Sequence, residues 1–490
     1  MKLSALLDGQ DHHVLQGSLK TPITADMTFD AHRVTPGALY IAVPGHGEGG
    51  PGRIEQAVRE GAAAVLTTGD VPLPVLPRGL CVVRVADIRA VTAVAASRYH
   101  GDPSGAMDVV AITGTNGKTS VSYMVESILR TAESARVGVI GTSGSRIGGQ
   151  RIAMPRSVLT TPNSPDLQYL LGLMRDRRTG TVVLEATSMG LLERRLDHVA
   201  VDVGVFTNLT PDHLDDHGTM ESYKNAKLRL FDGLCGRAVV NADDPVCADI
   251  LALMPGATTT YALDAPADYR ATDLTVDAAG CRFTLHHDGR KYPAAIPVPG
   301  RFSVANALAA LAACHLLGHE LPALVDALDR MAPTPGRFER YRTPRGVHVI
   351  VDYAHSADSL EKVLATVRGF ATGRVITVFG CGGDRDTTKR APMGAIAGNY
   401  SDLCVVTSDN PRDEDPEAIL DQITPGLVLS GTPFHRVTDR REAIRYALTA
   451  ARPDDIVLVA GKGSEPHQII GDRLLSFDDL TVVHELAARM

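Results

Sequence analysis

The chain has 490 residues, of which 44% are hydrophobic and 22% charged, and its formal net charge is −8. This length predicts about three domains, and the negative charge argues against a general nucleic-acid or membrane-surface binder. The seven cysteines are scattered and form no C-x-x-C pair, so we expect neither a zinc site nor a disulfide framework. No apolar run reaches the roughly 18 residues of a membrane span, and the N-terminus is too weakly apolar for a signal peptide. We therefore expect a cytoplasmic protein with small-molecule partners.

The first hundred residues alternate short strands with a helix. Strands are predicted at 39–43, 62–67 and 81–85. A helix is predicted to end near residue 59, and Pro103-Ser104-Gly105 is typical of a hinge. We therefore predict a small N-terminal α/β domain over residues 1–103.

The most informative stretch is a glycine-rich loop. It lies between an apolar strand, predicted at 107–113, and a helix with one apolar face from Val121 onward. Such a loop is an anion site, because backbone N–H groups and the helix dipole face bound phosphates. Lys118 would neutralise the phosphates and Thr119 would reach Mg²⁺, although Ile112 stands where the general phosphate-loop pattern requires glycine. The residues predicted to contact phosphates are Gly114, Thr115, Asn116, Gly117, Lys118, Thr119 and Ser120.

The remaining strands predict two further domains. Strands at 181–185, 201–207 and 237–241, with a helix at 300–318, indicate a mostly parallel sheet in a phosphate-loop domain over 104–332. Buried strands at 347–352, 374–379 and 456–460 each run into a polar or glycine-rich turn, which predicts a Rossmann-like sheet over 333–490. The predicted fold class is therefore α/β with three domains.

Three residues of the phosphate-loop domain are candidates for metal chemistry. Glu185 ends an apolar strand, where a carboxylate can hold Mg²⁺, although a solvated strand-end glutamate is the alternative. His213 lies in a polar stretch that directly follows a strand, which is equally typical of a capping and turn network. Lys227 shares a helical face with Tyr223, so it tends inward, yet spacing alone leaves a surface lysine open.

Three arginines are candidates for anion recognition. Arg337 lies at the predicted domain junction, where it could meet a γ-phosphate. Arg385 and Arg412 each follow a strand and suggest bidentate recognition of a carboxylate or phosphate. Surface salt bridges are the alternative role for Arg385 and Arg412.

These motifs occur together in a recognisable order. They are Thr113-Gly114-Thr115-Asn116-Gly117-Lys118-Thr119, the stretch 208–218, Asp352-Tyr353-Ala354-His355, Gly380-Cys381-Gly382-Gly383-Asp384-Arg385-Asp386, Asp409-Asn410-Pro411-Arg412 and Gly461-Lys462-Gly463. The set resembles the Mur ligases from about residue 24 to the C-terminus. Within that family it is most similar to the enzymes that add diaminopimelate to UDP-MurNAc-L-Ala-D-Glu in peptidoglycan synthesis.

The resemblance implies an ATP-dependent carboxylate–amine ligase. ATP would phosphorylate a substrate carboxylate, and the amine of an amino acid would attack the resulting acyl phosphate. This chemistry needs charge neutralisation more than a protein nucleophile. The implied domain roles are binding of the UDP-substrate by 1–103, of ATP by 104–332 and of the amino acid by 333–490.

The resemblance also assigns residues. The implied catalytic residues are Lys118, Glu185, His213 and Lys227, and the implied Mg²⁺ set is Thr119, Glu185, His213 and Lys227, with Lys227 carbamylated to an anion. Beyond the loop, the implied ATP contacts are Asn306, Arg337, Asp352 and His355. The implied amine pocket comprises Arg385, Asp409, Asn410, Arg412, Gly461 and Glu465. The implied acceptor cluster, for the carboxylate substrate, comprises Thr160, Thr161, Ser188 and Arg195.

The chain departs from the family pattern mainly where the acceptor would bind. Ala31 stands where the family has a serine, and a glycine-rich segment at 45–52 replaces the usual D-G-H. Met189 replaces a histidine, Glu193 replaces a glutamine, and Ser464 replaces a histidine in the amine-side motif. The ATP and amine motifs are otherwise kept, so the departures bear on the acceptor substrate and not on the chemistry.

Three readings therefore stand at this point. The first is the diaminopimelate-adding enzyme of peptidoglycan synthesis. The second is a Mur-type ligase of another pathway, whose carboxylate substrate lacks the UDP-sugar. The third is a catalytically silent nucleotide-binding protein, against which the intact Lys118, Glu185, His213 and Lys227 argue.

Overall fold

The computed structural model describes residues 1–44, 50–69, 73–152 and 159–490, so residues 45–49 of the departing segment 45–52 lie outside it. The chain forms two compact units. The first comprises Met1–Thr113, Arg136–Gly204 and Ala226–Gly236, and the second comprises Gly114–Ala135, Val205–Asn225 and Arg237–Met490. Sheets and helices alternate in both units, which confirms the α/β class. The division at 103 and 332 stays a prediction.

The first unit begins with a sheet whose inner strands are apolar on both faces. Its strand order is His13–Gln16, Cys81–Arg84, Ala64–Thr67, Leu39–Ala42 and Met27–Thr28, with only the first strand antiparallel to its neighbour. Two of its three inner strands, Ala64–Thr67 and Leu39–Ala42, are fully buried, so an apolar cluster lies on each face. The three strands predicted in this region are confirmed.

The first unit also holds the strand that leads into the glycine-rich loop. Asp108–Thr113 is parallel to Thr181–Glu185, which is in turn parallel to Val137–Ile140. These strands are continuous apolar runs buried on both faces, as expected inside a parallel sheet. Their register sets Glu185 opposite Ile112, so the carboxylate lies at the carboxyl edge of the sheet. Short antiparallel strands at Arg146–Ile147 and Gln150–Arg151 extend it. The helices of this unit are Leu3–Leu6, Ile54–Arg59, Ile88–Tyr99, Ser164–Asp176 and Ser188–Leu192.

The second unit begins with the helix Lys118–Glu133. Its predicted apolar face is buried from Val121 through Leu129, and it packs against the predicted Ala-rich helix Arg301–Leu316. Cys235–Asn241 and Thr258–Ala262 are parallel, and the antiparallel strands Tyr269–Asp277, Gly280–His287 and Arg290–Ile296 follow. Those three strands were not predicted, because each has one exposed face and a weak hydrophobic alternation. Shorter helices in this part are Leu214–His217, Cys247–Leu253 and Leu321–Ala327. Three elements, Val201–Phe206, Met220–Leu228 and Cys235–Asn241, have residues in both units.

The C-terminal sheet matches the predicted Rossmann-like arrangement. Its strand order is Glu339–Arg342, His348–Asp352, Ile456–Ala460, Val375–Phe379, Leu403–Val406 and Phe434–Arg436. The first strand is antiparallel to its neighbour and the others are parallel, with an apolar cluster on each face. The helices are Ala357–Phe370, Arg390–Tyr400, Pro416–Ser430, Arg440–Ala450 and Asp479–Ala487. A hairpin of His467–Ile470 and Arg473–Ser476, not predicted, follows the last parallel strand.

Within the described ranges, every helix is too short or too polar to cross a lipid bilayer.

Candidate active site

The glycine-rich loop needs both of its flanking glycines. Gly114 has φ +144°, and a side chain there would collide with the Thr207 hydroxyl. Gly117 has φ +92°, and an added Cβ would lie 2.5 Å from the Asn306 Oδ1. Both φ values are in the region that only glycine adopts without strain. The loop is therefore shaped by backbone positions that no other residue type fits.

The segment after the strand Val201–Phe206 holds this loop in place. The Asn208 carbonyl accepts from the Thr115 N–H (2.8 Å), and its side-chain Oδ1 accepts from the Asn116 N–H (3.0 Å). The Asn208 Nδ2 and the Thr207 hydroxyl both donate to the Asn116 carbonyl, at 3.1 and 2.6 Å. Because these contacts involve backbone groups, they fix the path of the loop.

The ammonium group of Lys118 is held against the backbone of the loop. Lys118 Nζ donates to the carbonyls of Gly114 and Thr115, at 2.8 and 2.9 Å. Lys118 also begins a 16-residue helix, so its ammonium and the positive end of the helix dipole add at one place. Thr119 is buried, and its hydroxyl accepts from Arg337 Nη2 at 3.3 Å. The arrangement suits a polyanion.

A pocket of about 790 Å³ opens beside the loop. The predicted ATP contacts that line it are Asn116, Gly117, Ser120, Asn306, Arg337, Asp352 and His355. The Arg337 guanidinium lies 4.2 Å from the centre of the Tyr353 ring, a cation–π contact that holds it over one wall. We call this the nucleotide pocket.

Two titratable groups of the nucleotide pocket have strongly shifted pKa values. Burial raises the pKa of Asp352, against the opposing effect of Arg337 and of backbone N–H groups from Phe338 (2.7 Å) and Ala354 (2.8 Å). Burial lowers the pKa of His355 to about 4, so its imidazole is neutral near pH 7. Its Nδ1 lies 2.9 Å from the Tyr353 carbonyl, which accepts only, so Nδ1 carries the proton.

Glu185 is not a solvated strand-end residue. Its side chain is 1% exposed, Oε1 accepts from the Thr142 N–H (3.1 Å), and Oε2 accepts from the Thr142 hydroxyl (2.8 Å). A side chain at Gly141 would collide with it. The carboxylate is thus buried and oriented, which excludes the solvated alternative.

His213 lies in an acidic surrounding with left-handed backbone geometry (φ +53°). Its Nε2 is 3.7 Å from Asp212 Oδ2, and its ligating atoms lie within 4.8 Å of those of Asp215 and Asp216. Burial would raise the pKa of Asp212, but His355 and His213 outweigh it and hold that pKa below its usual value. The structure thus adds the carboxylates of Asp215 and Asp216 around His213, which the sequence had not led us to assign.

Lys227 is 1% exposed, which confirms the inward orientation and excludes a surface lysine. Of the predicted Mg²⁺ set, Glu185 and Lys227 belong to the first unit, whereas Thr119 and His213 belong to the second. That set therefore stays a prediction.

The predicted amine pocket contains a hydrogen-bonded group of side chains, and only some members of that group were predicted from the sequence. Asn410 Nδ2 donates to Glu465 Oε2 at 2.9 Å. Lys462, 0% exposed, donates from Nζ to Asn410 Oδ1 (3.2 Å), to Glu465 Oε2 (3.1 Å) and to the His467 carbonyl (2.6 Å). Sequence reasoning missed Lys462, although a cation inside the glycine turn after a buried strand was an available signal.

Arg385 and Arg412 converge on the turn after Val375–Phe379. An added Cβ at Gly382 would lie 3.0 Å from Arg412 Nη1 and 3.8 Å from Arg385 Cγ. Arg412 Nη1 donates to the Gly383 carbonyl at 2.6 Å, and its backbone has φ +51°. The hairpin braces this position, since the Arg412 N–H donates to the Ile469 carbonyl at 3.1 Å.

Asp409 and Gly461, two residues of the predicted amine pocket, lie against each other. Asp409 is 8% exposed, and its Oδ2 has no hydrogen-bond partner among the described residues. Burial raises its pKa, against the opposing charges of Arg440 and Lys462. Gly461 has φ +118°, and an added Cβ would lie 2.5 Å from Asp409 Oδ2. The glycine is therefore required for this carboxylate to lie where it does.

Side chains of the acceptor cluster form hydrogen bonds with neighbouring groups of the same chain. Arg195 donates from Nη1 to the Thr161 carbonyl (2.7 Å) and from Nε and Nη2 to Glu193 Oε2 (3.0 and 2.5 Å). Glu193 also pairs with Arg89 at 2.8 Å. Thr160 lies 3.3 Å from Thr142, hydroxyl to hydroxyl. Of the predicted cluster, Ser188 is the buried first residue of the helix Ser188–Leu192, whose N-cap Thr187 lies 2.9 Å from the Thr161 hydroxyl.

The residues near position 31, where the chain departs from the family pattern, make defined contacts in the structure. Ala31, where the family has a serine, is fully buried in an apolar cluster. Its neighbour Arg33 pairs with Asp166 at 2.9 Å, and His32 Nδ1 lies 2.8 Å from Gln56 Nε2. A methyl group in a core thus occupies the position of the expected hydroxyl.

Comparison with protein families identifies the chain. Residues 112–314 match the Mur ligase middle domain, and residues 336–463 match the domain described as Mur ligase, glutamate ligase domain. The chain belongs to the Mur ligase family.

Individual Mur ligases are similar to it along their whole length. The UDP-N-acetylmuramoyl-L-alanyl-D-glutamate–2,6-diaminopimelate ligase of Clostridioides difficile (strain 630) is 40% identical over all of both chains. Its counterpart from Caldanaerobacter subterraneus subsp. tengcongensis is 39% identical, covering 100% of this chain and 99% of that one. A solved structure of a ligase with the same description is 32% identical, with a TM-score of 0.69, and covers 100% of this chain and 99% of that one.

Membership confirms the predicted enzyme class. This Mur ligase is an ATP-dependent enzyme that forms peptide bonds between small-molecule substrates. The roles of its individual side chains stay predictions, and the geometry above states which of them lie together.

Proposed function

We propose that this Mur ligase joins meso-diaminopimelate to UDP-MurNAc-L-Ala-D-Glu during peptidoglycan synthesis in the cytoplasm. The observation that carries the proposal is the identity of about 40% along the full chain with ligases described by that reaction. The match includes the first hundred residues, where the sequence motifs depart most from the family. It therefore favours the UDP-linked acceptor over the carboxylate of another pathway.

In the proposed reaction, a substrate carboxylate oxygen takes the γ-phosphoryl group of ATP, giving an acyl phosphate and ADP. The amine nitrogen then bonds to the acyl carbon, the C–O bond to phosphate breaks, and the amine loses a proton. Lys118 and the helix N-terminus would stabilise charge on the transferring group, because both are already directed to the loop. Arg337, whose guanidinium reaches the Thr119 hydroxyl, would add a second cation.

The residues present also suit the divalent cation that the family implies. Mg²⁺ prefers oxygen ligands, and Glu185 offers a buried carboxylate with fixed orientation. Thr119 and the acidic surrounding of His213 offer further donors. When bound, Mg²⁺ would neutralise phosphate oxygens. A carbamate on the buried Lys227 would turn its cationic side chain into an anionic oxygen ligand.

On the amine side, Arg412 and Arg385 would pair with a carboxylate of diaminopimelate, and Asn410 with Glu465 would meet its ammonium. On the acceptor side, Thr160, Thr161, Ser188 and Arg195 would contact the muramoyl peptide. The proposed division of labour gives 1–103 to the UDP-substrate, 104–332 to ATP and 333–490 to the amino acid.

The test is release of phosphate and ADP by the full chain. Release that requires both UDP-MurNAc-L-Ala-D-Glu and diaminopimelate, with the tripeptide product seen by mass spectrometry, supports the proposal. Release only with a free carboxylic acid from a chemically varied panel supports a ligase of another pathway. Absence of turnover with every amine and carboxylate supports the silent nucleotide-binding protein. A Lys118→Ala preparation, purified identically, corrects for contaminating ATPase.

A further inference from the structure

A continuous series of side chains joins the nucleotide pocket to the amine pocket. It begins at the phosphate loop, where Arg337 Nη2 donates to the Thr119 hydroxyl at 3.3 Å. The same guanidinium lies over the Tyr353 ring, 4.2 Å from its centre. Arg337 therefore contacts the phosphate end of the site and an aromatic wall at once.

Tyr353 continues the series toward the amine pocket. Its hydroxyl donates to Glu465 Oε1 at 3.0 Å, across 112 positions of sequence. The other oxygen of that carboxylate, Oε2, accepts from Asn410 Nδ2 (2.9 Å) and Lys462 Nζ (3.1 Å). Glu465 is thus held at one oxygen by the nucleotide pocket and at the other by the amine pocket.

The charges along this series favour the hydrogen bond from the phenol to the carboxylate. Burial would raise the pKa of Glu465, but Lys462 and the donors Asn410 and Tyr353 outweigh it and keep that pKa below its usual value. Burial and the charge of Glu465 raise the pKa of Tyr353, so the phenol keeps its proton. A hydrogen bond to an ionised group is among the stronger ones in a protein.

We propose that Tyr353 is a positioning residue that couples ATP binding to binding of the incoming amino acid. A triphosphate at the loop pairs with Arg337 and fixes its guanidinium over the Tyr353 ring. The ring then holds its hydroxyl on Glu465, which is kept in the orientation that receives the ammonium of the amino acid. The coupling is reciprocal, because any such linkage acts equally on both ligands. The proposal rests on the function proposed above.

The test measures the KM of diaminopimelate as a function of ATP concentration, with the acceptor saturating. In the natural chain we expect this KM to fall about tenfold as ATP saturates its site, the usual scale for linked sites. In Tyr353→Phe the ring remains beneath Arg337 but the hydroxyl is lost. We expect the dependence on ATP to shrink below about twofold, with the KM of diaminopimelate at saturating ATP raised more than kcat is lowered.

Tyr400→Phe is the matched control. Its hydroxyl also donates to a glutamate, Glu361, at 3.3 Å, but on an exposed surface. We expect it to keep the ATP dependence of the natural chain. A second variant, Tyr353→Leu, removes the ring as well, and we expect it to raise the KM of ATP in addition. Thermal unfolding of each variant shows that it is folded.

The outcomes separate the two proposals. If the natural chain ligates diaminopimelate but its KM does not depend on ATP, or Tyr353→Phe keeps the full dependence, the coupling is wrong and the proposed function stands. If the natural chain does not ligate diaminopimelate at all, both are wrong.

Discussion

The amine pocket and the acceptor cluster use arginine in opposite ways. In the amine pocket, Arg412 is fixed through its backbone and one carbonyl, and it shares its turn with Arg385. In the acceptor cluster, Arg195 gives Nε and Nη2 to Glu193 and Nη1 to the Thr161 carbonyl. The first arrangement holds an arginine through carbonyl groups, whereas the second pairs an arginine with a carboxylate of the same chain.

This difference shows which part of the site a single substitution can change. The nucleotide and amine pockets depend on glycines against which other groups lie close, such as Gly117 against Asn306 and Gly461 against Asp409. Few residue types fit such positions. In the predicted acceptor cluster, ion pairs between side chains hold Arg195, and one replaced residue such as Glu193 can redirect them. We therefore expect single substitutions to change the preference for an acceptor more readily than the chemical reaction.

The largest effect is expected from Lys227→Ala. This variant tests whether the reaction between the amine and the acceptor depends on one buried lysine. We expect kcat to fall by roughly 10² to 10³, the scale for losing one group that stabilises charge in the transition state. A short-chain carboxylic acid should restore part of the activity, because it supplies the missing carboxylate. Lys224→Ala is the control, because Lys224 is a partly exposed lysine of the same helix that pairs with Asp249 at 3.1 Å.

A second readout is independent of turnover. A ¹³C carbamate resonance should appear after exchange with ¹³C-bicarbonate and should be absent in Lys227→Ala. Full activity in that variant, or no such resonance in the natural chain, would contradict the carbamate.

Arg412→Ala tests the amine side of this comparison. We expect the KM of diaminopimelate to rise about 10- to 100-fold, because a charge-assisted pair to a carboxylate is lost. The KM of ATP should stay within about twofold. The surface variant Arg436→Ala, which loses pairs to Glu417 and Asp421 (both 2.7 Å), should leave both values unchanged. An unchanged KM for the amine in Arg412→Ala would remove Arg412 from the pocket.

Gly461→Ala tests the close packing itself. We expect the free energy of unfolding to fall by about 2 to 3 kcal/mol, since the added Cβ meets Asp409 and the backbone has positive φ. Gly256→Ala has positive φ (+76°) but open space around it, so its smaller loss measures the backbone term alone. Urea unfolding gives both values. Equal losses in the two variants would mean that the contact with Asp409 adds nothing.

Glu193→Gln gives the smallest expected effect and sharpens the acceptor side. It removes the charge that neutralises Arg195, so we expect the KM of the acceptor to fall about two- to tenfold. Asp176→Asn, which loses an exposed pair to Arg175 (3.0 Å), is the control. A KM that rises instead would show that Glu193 itself contacts the acceptor.

The same variant predicts a pH dependence. Burial would raise the pKa of Glu193, but Arg89 and Arg195 outweigh it, so its folded pKa lies below the unfolded value of about 4.3. Its contribution to stability is therefore present above about pH 4.3 and lost as the pH falls through the folded pKa. The difference in unfolding free energy between natural chain and variant should shrink over that acidic range.

The sequence predicted the parallel strands well, because Thr181–Glu185 and Ile456–Ala460 are continuous apolar runs bounded by turns. It did not predict the hairpin His467–Ile470 with Arg473–Ser476, whose second strand is exposed throughout. The loop residues of the nucleotide pocket could be read from one motif. The role proposed for Tyr353 could not be predicted, because its partner Glu465 is distant in sequence and only the fold brings the two residues together. Glu193 was noticed as a departure, but its partner Arg89 needed the structure.

Two residues of the proposed site, His213 and Arg412, have left-handed backbone geometry, at φ +53° and +51°. For a residue with a side chain, that conformation costs roughly 1 kcal/mol, which glycine would not incur. Under the proposed function, selection for backbone stability alone would favour glycine at such positions, and selection for the reaction would keep the two side chains.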